Sequence, residues 1–107
     1  MLTHHKDGIV QDLGNGVTRR ILSYGENMMV VEMDFEEGSV GALHAHPHEQ
    51  IGYVVSGSLR LTDGDREEVI AAGDTYYMLP NISHGVVALE PTKLLDVFTP
   101  MRHDFLK

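Results

Sequence analysis

Turn-forming clusters punctuate this chain at short intervals, and that rhythm limits what it can fold into. They are Gly14-Asn15-Gly16, Gly25-Glu26-Asn27, Glu36-Glu37-Gly38, Ser56-Gly57, Asp63-Gly64-Asp65, Gly73-Asp74 and Glu90-Pro91. The segments between them are rich in Val, Ile, Leu, Tyr and Met. Short apolar runs with turns roughly every 8–12 residues predict an all-β sandwich or barrel. No stretch of about 11 residues or more carries helical periodicity. The pattern predicts strands over Val17–Tyr24, Met28–Phe35, Val40–His46, Gln50–Val55, Ser58–Thr62, Glu67–Ala71, Asp74–Leu79, Gly85–Leu89 and Lys93–Phe98. That set fits a jelly-roll β-barrel.

The 107 residues make one domain with a single modest core. The formal net charge is −8, with only eight Lys and Arg. Nucleic acid is therefore not an expected partner, since binding it needs a basic patch. No apolar run approaches the roughly 18 residues of a membrane span. The start, MLTHHKDGIVQDLG, has no apolar signal segment, and a cytoplasmic home is expected. The chain has no cysteine, which excludes disulfides and thiolate-bound metals.

Some strands are apolar on both faces. In Lys93–Phe98, Leu94 and Phe98 point one way while Leu95 and Val97 point the other. A barrel wall on a monomer needs one wet face. The second apolar face points to a homodimer, or to cover from the N-terminal segment.

Seven histidines are many for this length, and His44, His46, His48 and His84 lie in the middle of the chain. On a strand, His44 and His46 project from one face, and Gln50 shares their parity. One strand, continuing past a bend at Pro47, could aim all three at one point. His84 comes from a distant segment and could close a site for a divalent transition metal. Glu49 competes with Gln50 for the fourth place. His48 has the ligand parity too, but reads as a rim histidine beyond Pro47. His4, His5 and His103 read as surface residues.

Near the C-terminus, Asp96 shares a strand face with Phe98. Burying a carboxylate among apolar residues is costly without a partner. Asp96 is thus a salt-bridged or edge-exposed acid, or a pocket acid with a raised pKa suited to proton transfer. Arg102 lies just past Pro100, and facing a pocket it would suit a substrate carboxylate.

The stretch GSVGALHAHPHEQIGYVVSG resembles the first signature of the cupin superfamily, with Gly38, His44, His46 and Gly57 in place and Gln50 at the usual Glu. GDTYYMLPNISH resembles the second signature, with Gly73 and His84 matching. Leu79 stands where Pro is usual, Asn81 where Gly is usual and Ala88 where Asn is usual. Asn81 suits the left-handed turn that Gly would make. The resemblance implies a cupin jelly roll over residues 1–107, with its metal-binding core about 38–102.

HAHPHEQIGYVVSG, PNISHGV and DVFTPMRHDFL together look like the small cupins of the KdgF type. That likeness implies conversion of 4,5-unsaturated monouronates, the products of pectin and alginate lyases, to linear 5-keto-4-deoxyuronates. It implies one divalent metal ion (Ni, Zn, Fe, Co or Mn) held by His44, His46, Gln50 and His84. It also implies a small acidic sugar as partner, with Asp96, Phe98 and Arg102 lining the pocket. A neutral Gln leaves more positive charge on the metal, which favours Lewis-acid work on an anion. It weighs against an iron dioxygenase, where a carboxylate normally helps hold the iron. A sugar isomerase and a non-catalytic ligand-binding cupin are the other readings.

Overall fold

The computed structural model describes residues 1–107. Ten strands run in chain order: β1 (Ile9–Gly14), β2 (Val17–Tyr24), β3 (Met29–Phe35), β4 (Val40–His44), β5 (Glu49–Ser56), β6 (Ser58–Asp63), β7 (Arg66–Ala71), β8 (Thr75–Met78), β9 (His84–Ala88) and β10 (Thr92–Thr99). Short 3₁₀ turns cover His5–Asp7 and His103–Leu106. All strand pairings are antiparallel. They form a six-stranded sheet in the order β1-β2-β3-β10-β5-β8 and a four-stranded sheet in the order β4-β9-β6-β7. This is the all-β, two-sheet architecture that the turn rhythm predicts.

β1 is the strand the periodicity does not foresee. Five of its six residues are exposed, so no apolar face marks it. It is fixed by pairing with β2 through a two-residue Asn15-Gly16 turn. Asn15 has φ 53° and Gly16 has φ 83°. A hairpin turn of this hand needs positive φ at both central residues, which Asn-Gly supplies at low cost. Asn81 has φ 65°, the left-handed conformation expected of it.

The expected strand Val40–His46 ends at His44. The following residues leave the four-stranded sheet, and β5 lies in the six-stranded one. His44, His46 and Gln50 therefore do not share one strand. They converge because the chain crosses between sheets around Pro47.

Inward residues alternate along β5 and β10, as a half-buried pleat requires. The core side chains build two buried clusters. One holds Val17, Phe35, Val54, Leu59, Ala88 and Leu94. The other holds Ile21, Met29, Val31, Phe98, Met101 and Phe105. Each buried Leu, Phe or Val contributes on the order of 1.5–3 kcal/mol. A cavity of about 450 Å³ has members of both clusters in its wall.

The second apolar face is real, and the N-terminal segment covers only part of it. Glu32, buried on the outer side of β3, has His5 Nε2 and Lys93 Nζ each 2.9 Å from its Oε1. Ile51, Tyr53 and Val55 on β5 and Tyr77 on β8 stay exposed. No helix is long and apolar enough to cross a membrane.

Candidate metal centre

Two strands of the four-stranded sheet supply the first pair of imidazoles. His44 ends β4, His84 begins β9, and the two are register partners. Their ring centroids are 4.4 Å apart. His46 sits in the segment that crosses between the sheets, its centroid 4.9 Å from that of His84. One ligand-capable atom from each of the three histidines lies within 4.8 Å of the others. His84 and His46 are buried, while His44 faces the open side. His48 is outside this triad and packs beside His46 and Phe98.

Backbone carbonyls set the tautomers. Each Nδ1–H donates to a carbonyl two residues away: His44 to Ala42 at 2.8 Å, His46 to His48 at 3.0 Å and His84 to Ile82 at 2.9 Å. Every Nε2 is then left as a bare lone pair. Such a locked tautomer is the usual support for a metal-binding imidazole. Burial first of all lowers the pKa of both His46 and His84, which favours the neutral ring.

The six-stranded sheet brings the fourth group. Gln50 on β5 points inward and is buried, whereas its neighbour Glu49 is exposed and accepts a bond from Tyr77 Oη at 2.9 Å. Gln50 Nε2 donates to Asp96 Oδ1 at 2.9 Å and to Tyr76 Oη at 3.2 Å. That orientation turns Oε1 toward the histidines, 2.9 Å from His46 Nε2 and 3.2 Å from His84 Nε2. The convergent atoms are thus all acceptors. Lone pairs packed this closely repel unless a proton or cation lies among them. Three imidazole nitrogens and one amide oxygen suit a divalent transition ion, so the donor set fits the metal that the sequence implies.

Asp96 on β10 is buried and has no cationic ion-pair partner. It accepts from Tyr76 Oη at 2.8 Å as well as from Gln50. Burial pushes its carboxyl up to about 6, against the opposing pull of those two hydrogen bonds. Asp96 is therefore neither salt-bridged nor at an exposed edge, since β10 lies between β3 and β5. Tyr76, which sequence reasoning missed, is itself held far above the usual phenol range by burial.

Tyr76 reaches Asp96 because of Gly52. Both residues are register partners of Gly52, one on β8 and the other on β10. A Cβ on Gly52 would overlap the Tyr76 ring. Only glycine lets that ring lie across β5. The pattern Gly52 opposite Tyr76 exists only once the register is known, so the sequence alone carries no signal for it.

Phe98 is buried, edge-on to His46 and to Phe105, and lines the cavity. Arg102 also lines it, but its Nε and Nη2 donate to Asp104 Oδ1 and Oδ2 at 3.1 and 2.9 Å. One bidentate side of its guanidinium thus already holds a carboxylate.

Residues 31–98 match the family model of the cupin domain. The chain is 38% identical over 98 residues to the pectin degradation protein KdgF of Dickeya dadantii (strain 3937), covering 90% of this chain and 89% of that protein. It is similar to the solved structure of KdgF from Halomonas sp., with TM-score 0.92 and 33% identity, covering 98% of this chain and 97% of that one. An RmlC-like cupin from Shewanella frigidimarina superposes with TM-score 0.93 and 33% identity, over 97% of this chain and 94% of the other.

Proposed function

This chain belongs to the cupin family and to its KdgF branch, and from that premise we propose that it linearises 4,5-unsaturated monouronates to 5-keto-4-deoxyuronates. Pectin degradation is the setting that the relative's name supports. Alginate lyase products carry the same unsaturated ring and fall within the proposal.

The reaction is an isomerisation. The anomeric hydroxyl loses its proton, the bond from C1 to the ring oxygen breaks, and C1 becomes an aldehyde. The enol left at C5 becomes a ketone when C4 gains a proton. Such a path needs one group that can take a proton and give it back. Asp96 has that character, a buried carboxyl in the cavity with no ion-pair partner within 4.0 Å. Tyr76 and Gln50 fix its Oδ1 by hydrogen bonds.

His44, His46, Gln50 and His84 would hold the metal. A divalent ion there supplies Lewis acidity, easing the build-up of negative charge on substrate oxygen. Phe98 gives the sugar an apolar face to pack on and keeps water from it. Arg102 lends positive charge near the anionic substrate. The observation that carries this reading is the linkage of Asp96, through Gln50, to His46 and His84, two members of the converging three-histidine group.

The decisive assay is incubation of metal-loaded protein with unsaturated galacturonate, following loss of the double-bond absorbance. The expected result is a decay much faster than the spontaneous one and abolished by chelator. A decay equal to the protein-free control sinks the reading.

Two finer points go with it. A cytoplasmic location goes with the proposed work on small lyase products. A homodimer is supported by the exposed row of Ile51, Tyr53, Val55 and Tyr77, which a second copy would cover. Light scattering on the eluted protein should give twice the 11.9 kDa chain mass, and a monomer at micromolar concentration would remove the dimer.

A further inference from the structure

Arg19 carries a feature that the proposed chemistry has not used. Along β2, Val17 and Ile21 are buried and Arg19 lies between them at the same parity. A charged residue on the core face of a strand needs a reason. Here Arg19 lines the cavity, sharing its wall with His44, Gln50, His84 and Asp96.

The surroundings hold Arg19 in place and leave it without a direct ion pair. Its Cζ lies 3.5 Å from the centre of the Phe105 ring. Arg102 Cζ lies 4.2 Å from the same centre. Gln11 accepts from Arg19 Nε at 2.8 Å and donates to the Phe105 carbonyl at 2.7 Å, so it ties the arginine to the C-terminal turn. No carboxylate lies within 4.0 Å of Arg19, and its two terminal nitrogens make no hydrogen bond.

Two guanidiniums therefore share the Phe105 ring, and the one carboxylate paired with either is that of Asp104, on Arg102. Asp104 spans Nε and Nη2 of Arg102. One unit of positive charge remains, on the arginine whose Nη atoms are free. In a chain of net charge −8, such a cation facing a cavity is an anion site. Burial first, and then Arg102, lowers the Arg19 pKa, against an opposing pull from Asp104.

We propose that Arg19 binds the carboxylate of the anionic sugar, and that Arg102, engaged by Asp104, is its neighbour rather than the main carboxylate ligand. The inference rests on the uronate reading and names the residue that recognises the acid group.

The test measures binding of saturated galacturonate, with galactose as the uncharged control, to metal-loaded protein by calorimetry. Wild type should prefer galacturonate. Arg19→Met should weaken galacturonate at least about tenfold, the loss expected for a charge-assisted bond, with metal content unchanged. Arg19→Lys keeps the charge without the fork and should fall in between; it also serves if the Met variant does not fold. Asp104→Asn frees Arg102 and should not weaken binding. Equal galacturonate affinity in wild type and the folded Arg19 variants overturns the proposal, and so does a wild type that binds both sugars alike. Turnover of unsaturated galacturonate is followed in parallel. Wild-type turnover with KM unchanged in Arg19→Met defeats this inference alone. No wild-type turnover defeats the uronate reading, and the galacturonate comparison still decides Arg19.

Discussion

Gln50 joins two halves of the site at once: its amide N–H donates to Asp96 Oδ1 at 2.9 Å while its carbonyl oxygen faces His46 and His84. No carboxylate could do both, because an ionised Glu only accepts. Gln50→Glu should thus set two carboxylates against each other. We expect metal content to be kept, turnover to fall by at least about tenfold, and the metal-free protein to lose about 1–3 kcal/mol of stability. Activity close to wild type in that variant would show that the donor to Asp96 is dispensable.

His44 and His84 face each other across the β4–β9 ladder, and His44 is the exposed member. It is therefore the ligand whose removal least disturbs the fold. A metal that binds only the folded chain raises its melting temperature in step with concentration. Wild-type protein should show that rise with added nickel or zinc and lose it with chelator. His44→Ala should keep the metal-free melting point and lose most of the rise. An undiminished rise in His44→Ala would place the ion elsewhere.

Asp96→Asn retains an oxygen that can accept from Gln50 and Tyr76, but it has no exchangeable acid proton. General acid–base groups contribute about 10²–10⁴-fold. Turnover should fall into that range with metal content and melting temperature little changed. A variant within threefold of wild type, roughly 0.6 kcal/mol on the barrier, excludes Asp96 as the proton carrier.

Glu32 provides a pH test away from the metal. Burial alone would raise its carboxyl, but the hydrogen bonds from His5 and Lys93 outweigh burial and hold it below its ordinary value. The folded state thus favours the ionised form. Its contribution is full above the unfolded value of about 4.3 and is lost as pH falls through the lower folded value. Glu32→Gln should melt lower at pH 7, by on the order of 1 kcal/mol, and show a shallower decline on acidification. Parallel melting curves from pH 3 to 7 would mean that the trio contributes nothing.

Nine of the ten strands follow from turn residues and β-prone runs, because each carries its own local signal. β1 does not, since its exposed residues are ordered by a hairpin and not by an apolar face. Asp96 was visible as an acid at a core-facing position. Arg19 carries the same signal between Val17 and Ile21, and it could have been found the same way. Tyr76 could not, because its role depends on lying opposite Gly52.

By itself the sequence determined the ingredients: an all-β chain, the two signature stretches, and the histidines, glutamine and aspartate of the site. It did not determine how they meet. His44 and His46 come together because the chain changes sheets after β4, not because they alternate along one strand. Gln50 faces inward and Glu49 outward because β5 is locked between β10 and β8, and a one-residue slip would exchange them. Asp104 occupies the fork of Arg102 and leaves Arg19 free through contacts far apart in the chain. Local patterns record the preferences of neighbours in sequence. Lone pairs, charges and free donors interact by distance in space, and only the packed fold sets those distances.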